Sequence, residues 1–299
     1  MTEVTVAVDC RSHLGESARW EARAGAFWWV DVPPPSLLHR FYPATGRHDS
    51  WPMPEMITCV VPRRNGHGVL VASHGGVNLV DTESGRLTRL LTPEQDRPFN
   101  RSNDGAADRA GRFWLGTMQN NIAPDGSGIP LVGSAGSLWR IDADRRATRM
   151  AQDIAIANTV CWSPDDRTMY FGDTATGWIF AYDFDAAAGT ISGRRPFARH
   201  ERGHPDGSTV DAEGFLWNCR WDGGCVIRFA PDGRVDRILE LPAERVTSCA
   251  FGGPDLDTLY ITTARYGLDE AQLARQPHAG SVFAAQPGVR GIADALYAG

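Results

Sequence analysis

The feature that most constrains the fold is a strand, turn and aromatic-bearing strand pattern that recurs six times along the 299 residues. Its clearest copies are STVDAEGFLWNCRWDGGCVIRFAPDGRV at 208 to 235 and GAADRAGRFWLGTMQ at 105 to 119, the second resuming after an insertion with GSLWRIDADRRATRM at 136 to 150. Further copies begin near residues 17, 57, 159 and 247. Aligning the middle of the second strand superposes Trp28, Leu70, Trp114, Tyr170, Trp217 and Tyr260, with separations of 42, 44, 56, 47 and 43 residues. Propeller blades and kelch-like repeats have periods of roughly 40 to 50 residues. The expected fold is therefore all-β: a six-bladed β-propeller of four-stranded antiparallel blades around a central metal-binding cavity, one domain over residues 1–299.

Local signals agree with short strands joined by tight turns. The DAEG, DRAG, SPDD and GPDL segments read as hairpin connections, and 32 glycines with 19 prolines spread through the chain supply such turns. Period-two stretches such as SLWRIDA and VIRFAPD support strands with a packed face. The amino-terminal TEVTVAVD is expected to close the ring as the outer strand of the sixth blade, removing a free sheet edge. Residues 120–136 are expected to form a loop within the third blade, projecting near one face, and residues 268–278 a short helix beside the sixth.

A net charge of -6 and a pI near 5.7 argue against nucleic acid or an anionic membrane as a partner. The amino terminus lacks a secretory apolar core and no 18-residue apolar run is present, so a cytoplasmic protein is expected. Six scattered cysteines, Cys10, Cys59, Cys161, Cys219, Cys225 and Cys249, fit reduced thiols packed in strands.

Counting back from the aligned residue reaches the start of each inner strand. Glu16 and Asn158 lie 12 before their aligned residues, Asn103 and Asp206 lie 11 before theirs, and Thr58 and Ser248 complete the ring at 12. In a propeller these positions converge at one end of the channel. Two carboxylates meeting there without a counter-charge would repel each other and resist desolvation. A divalent cation resolves the conflict, with Glu16 and Asp206 supplying charge and Asn103 and Asn158 amide oxygens. Arg101 and Asp104 flank Asn103, and His204 precedes Asp206, which makes them candidate substrate contacts, as is His74 in VASHGG.

This donor set suits water attack on an ester carbonyl, with Asp206 preferred as the base and Glu16 as a ligand. The converse division is compatible with the same spacing. No GxSxG, Walker or GxGxxG sequence offers a competing chemistry.

The LGE at 14–16, RSNDG at 101–105, IAN at 156–158, HPDGS at 204–208 and VTSCAFGGPDLDTLYITTA at 246–264 resemble, in order and register, the SMP-30/gluconolactonase/LRE family. The resemblance implies metal ligands at Glu16, Asn158 and Asp206, with Asp206 also the general base, and substrate contacts at Arg101 and Asn103. It implies one divalent ion, whether calcium, zinc, manganese, magnesium or iron, and hydrolysis of a small-molecule sugar lactone to its aldonic acid; the protein is expected to be a monomer or weak homodimer. The alternatives are a metal-dependent esterase or phosphotriesterase, which needs a more apolar pocket, and a non-catalytic calcium-binding regulatory propeller. One departure stands out: Thr159 follows Asn158 where many family members carry glycine.

Overall fold

Apolar β-forming segments joined mostly by tight turns fold each repeat into an antiparallel sheet, and the two long connections, residues 120–135 in the third repeat and 265–281 in the sixth, keep the same pairing. The computed structural model describes residues 2–65 and 67–299; Met1, in the amino-terminal segment, and Gly66, in the second repeat, lie outside the described residues. Six four-stranded sheets result, and the protein is an all-β, six-bladed propeller. The inner strands are Gly15–Glu21, Ile57–Pro62, Asn100–Ala107, Ala157–Trp162, His204–Val210 and Arg245–Gly252. The second strands are Ala26–Asp31, Val69–Ser73, Phe113–Gln119, Thr168–Asp173, Leu216–Trp221 and Thr258–Ala264, and each carries one of the six aligned residues, all of them buried. Neighbouring inner strands touch in cyclic order, the sixth against the first. The outermost strand of the sixth blade is Val4–Val8, which pairs antiparallel with Val282–Ala285. The helix Glu270–Arg275 follows that blade's second strand and is capped at Asp269. No helix among the described residues is long and apolar enough to cross a membrane.

The core is divided among the blade boundaries. Trp28 and Val30 of the first blade pack with Val60 and Val71 of the second. Phe113 and Leu115 of the third pack with Cys59 and Leu70, and Trp217 and Cys219 of the fifth with Val246 and Phe251 of the sixth. Because a blade is covered on both faces, its strands are apolar at successive positions, as in Ala26–Asp31, where only Asp31 is not buried. Hairpin acids fix the aligned indoles: Trp114 Nε1 donates to Asp108 Oδ2 at 2.9 Å and Trp217 Nε1 to Asp211 Oδ2 at 2.8 Å. The first acids of DRAG and DAEG thus anchor the core as well as starting turns.

Two features position the site. All six inner strands break register near the ring positions: after Glu16, Ile57, Ser102, Asn158, Pro205 and Val246. Such bulges twist the strand and re-aim its side chains. In addition, the carboxy-terminal tail crosses the opposite, hairpin end of the channel. There Ala212 N donates to Arg290 O, Gly291 N to Leu256 O, Tyr297 N to Pro62 O and Ala298 N to Gly111 O. Asp294 accepts from Trp20 N at 2.7 Å.

Candidate active site and metal centre

The inner strands begin at the end of the channel away from the tail, and there they surround a cavity of about 180 Å³. Glu16, Asn103, Asn158 and Asp206 all line it, together with Arg101. Each comes from a different blade except Arg101 and Asn103, which share the strand Asn100–Ala107. Thr58 and Ser248, the other two expected ring members, are buried outside the lining; Thr58 Oγ1 lies 2.8 Å from Ser102 Oγ, and Ser248 Oγ accepts from Ala18 N. Strand pairing opposes Ala250 to Tyr260 and Val61 to Leu70, so Thr247, three before Ala250 as Thr58 is three before Val61, is the true sixth-blade equivalent. The sixth hairpin is one residue longer than the alignment assumed.

The remaining candidates lie elsewhere. Asp104 is buried and turned toward Arg19, with 3.6 Å between Arg19 Nη2 and Asp104 Oδ1, and its Oδ1 accepts from the Gly105 amide. His74 lines a neighbouring cavity of about 270 Å³, which touches the first only through Arg101. His204 faces a groove with Thr176, Arg199 and His200. The structure therefore does not bring Asp104, His74 or His204 into the cavity that holds Glu16 and Asp206. Asp104 is paired with the Arg19 guanidinium, and the two histidines line separate clefts.

Three cavity residues were signalled in the sequence but not read. Because the second strand runs antiparallel to the first, its far end reaches the same mouth. Met118, Thr174 and Trp221 each lie four residues beyond their aligned aromatic, and all line the cavity. Asn121 and Ile122 come from the third-blade insertion, and Tyr266 from the segment after Thr258–Ala264. No repeat register identifies these last three.

Hydrogen bonds orient the polar wall. Asn158 Nδ2 donates to Thr174 Oγ1 at 2.8 Å, which turns Asn158 Oδ1 toward Asn103 Nδ2 at 3.1 Å. Arg101 Nη1 donates to Asn103 Oδ1 at 2.6 Å, and its Nε and Nη2 donate to Asn121 Oδ1 at 3.1 and 2.7 Å. Burial lowers the Arg101 guanidinium to about 10, partly opposed by Glu16, so it stays cationic at neutral pH.

The acids are under electrostatic stress. Burial first, and then the charge of Asp104, pushes Glu16 up to about 8. Burial, then Glu16 and Asp104, holds Asp206 well above the ordinary aspartate range. Among the described residues neither acid has an ion-pair partner within 4.0 Å, and no group of three His, Cys, Asp or Glu side chains is gathered that could hold a metal. The available set is two carboxylates and one oriented amide oxygen. Oxygen donors with two negative charges match a hard divalent cation, and its charge would remove the stress that burial creates. The residues present thus fit such an ion.

Residues 14–265 match the SMP-30/Gluconolactonase/LRE-like region. A 6-deoxy-6-sulfogluconolactonase of Pseudomonas putida is 37% identical over 290 residues, covering 96% of each chain. An L-arabinolactonase of Azospirillum brasilense is 36% identical over 301 residues, 99% of this chain and 96% of its own. A solved calcium-binding protein, regucalcin, from Agrobacterium tumefaciens superposes with a TM-score of 0.91 at 33% identity, covering 99% of this chain and 97% of its own.

Proposed function

The chain belongs to the SMP-30/gluconolactonase/LRE-like family, and we propose that its cavity holds one divalent cation through Glu16, Asn158 and Asp206 and opens a sugar lactone by adding water. The protein is a sugar lactonase, in keeping with the lactonases it resembles along almost its whole length. The observation that carries the site assignment is the convergence of two stressed carboxylates and one oriented amide oxygen on a cavity whose other walls are Arg101, neutral hydrogen-bonding groups and apolar side chains.

When bound, the cation would balance the two acids and polarise the lactone carbonyl as a Lewis acid. The chain's own groups do the remaining work. Asp206 takes a proton from water as the water oxygen adds to the carbonyl carbon. It returns that proton to the ring oxygen as the carbon–oxygen bond breaks, leaving an open-chain acid that ionises. Arg101, fixed by Asn103, Asn121 and the Ser102 carbonyl, offers positive charge and its remaining Nη2 N–H to substrate oxygens. Asn103, Asn121 and Thr174 present hydrogen-bonding groups suited to sugar hydroxyls, while Ile122, Met118 and Trp221 cover the carbon faces. Hydrogen-bonding groups set against apolar walls suit a compact ring that carries hydroxyls. Calcium, manganese and magnesium suit the oxygen donors most directly, with zinc and iron compatible.

Proton release from a panel of five- and six-membered aldonolactones, with the spontaneous rate subtracted, tests this function. Turnover above background on at least one member is expected. Folded, metal-supplied protein that accelerates none of them would contradict it.

A further inference from the structure

Thr159 adopts a φ of 58°. A residue branched at Cβ rarely enters this left-handed region, whereas glycine enters it without steric cost. The residue is fully buried, so nothing in the solvent compensates for the strain. Its hydroxyl reaches across the boundary between the fourth and fifth blades. Thr159 Oγ1 donates to the main-chain carbonyl of Asp206 at 2.5 Å and lies 3.0 Å from Ser208 Oγ.

That carbonyl lies where the sheet cannot hold it. Pairing between His204–Val210 and Leu216–Trp221 shifts between Pro205 and Ser208, leaving Asp206 and Gly207 out of the ladder. Side chains stand in for the missing strand partner. Asn218 Nδ2 donates to the same carbonyl at 3.1 Å and to Ser208 Oγ at 2.9 Å, while Asn218 Oδ1 accepts from Arg220 Nη1 at 2.8 Å. Arg220 in turn donates to the carbonyls of His200, Arg202 and Gly203. Within this network Thr159 alone comes from another blade, and it directly follows Asn158.

We propose that Thr159 is a positioning residue that locks Asp206 to Asn158, so that two oxygen donors from neighbouring blades hold a fixed separation. The inference rests on the metal site proposed above. The hydroxyl is the reason a strained residue is kept where glycine would fit: it holds the Asp206 carbonyl itself to the fourth blade, beside Thr174 Oγ1, which donates to the preceding carbonyl of Pro205 at 2.7 Å.

The test is Mn²⁺ affinity of metal-stripped protein, read from the electron paramagnetic resonance signal of free Mn²⁺, with thermal unfolding measured in parallel. Thr159→Ser keeps the hydroxyl, Thr159→Val removes it while keeping the shape, and Thr159→Gly removes both the hydroxyl and the strain. Orienting partners of metal ligands typically contribute roughly 10- to 100-fold to affinity. Thr159→Gly and Thr159→Val are expected to weaken Mn²⁺ binding by that order, and Thr159→Ser to remain close to the unsubstituted protein. Should Thr159→Val fail to fold, the unstrained Thr159→Gly carries the comparison. Glycine and valine variants that bind Mn²⁺ as tightly as the unsubstituted protein would overturn this inference alone. An unsubstituted protein that binds no Mn²⁺ would overturn the proposed metal site and this inference with it.

Discussion

Glu16 and Asp206 make the cavity electrostatically unfavourable on its own, and the sign of that effect can be measured. Glu16 ionises near its ordinary value of 4.5 in the unfolded chain and at about 8 in the metal-free fold. Between those values the folded state keeps a proton that the unfolded state has released. The metal-free protein therefore loses stability as pH rises through this window, and Asp206, shifted in the same direction, adds to the loss. A cation binds the ionised forms and stabilises only the folded state, so its contribution grows as pH rises. The melting temperature of chelated protein is expected to fall between about pH 5 and pH 8, with the gap to Mn²⁺-loaded protein widening over that range. A constant gap would contradict the assignment of these two acids to a metal site. At the same scale, Asp108 and Asp211 show why a turn residue is hard to interpret from sequence. Each begins a hairpin as expected, and each also binds a buried indole nitrogen that no local pattern reveals.

Among the elements, the bulged inner strands matter most. Gly207 follows Asp206 inside the bulge, and a Cβ there would lie 2.6 Å from Ser248 Oγ and 2.9 Å from Ser248 Cα. The second contact is with the main chain of the sixth blade, which cannot swing away. Gly207→Ala is expected to cost about 1–3 kcal/mol through overpacking and to displace Asp206, so that chemical denaturation shows lower stability and metal no longer restores it fully. Unchanged stability and metal response would show that the bulge tolerates more freedom than its contacts imply. Strand spacing made the blades and the ring positions of Glu16, Asn103, Asn158 and Asp206 legible, because hairpins that vary by only a residue carry register from an aromatic to the channel. Counting back from Tyr260 reaches Ser248 instead of Thr247, since one extra hairpin residue is invisible in the spacing. It also could not tell that His74 and His204 face separate clefts, because proximity in sequence does not fix the direction of a side chain at a bulge. Asn121 and Ile122 were beyond its reach altogether. They sit in an insertion without repeat register, although that insertion was expected near one face.

Across the whole molecule, the two ends of the channel have different roles. At one end the strand starts bring donors from four blades onto a small cavity. At the other, the tail bonds to hairpins or strand ends of the first, second, third, fifth and sixth blades, and Tyr297 is completely buried there. Contacts this far apart in sequence add to the packing between neighbouring blades in fixing their relative positions, and they were not anticipated from the repeat. The site depends on that closure because Glu16 and Asp206 lie four blades apart in chain order. Under the proposed function, lactone hydrolysis requires one divalent cation held with Asp206 as both ligand and base. The most direct measurement is the initial rate of lactone hydrolysis by metal-stripped protein as Mn²⁺ is returned, for the unsubstituted chain and for Asp206→Asn. The expected result is a rate that rises from the uncatalysed level and saturates at one ion per chain, with folded Asp206→Asn remaining at the uncatalysed level throughout. Full activity in the stripped protein, or substantial turnover by Asp206→Asn, would contradict it.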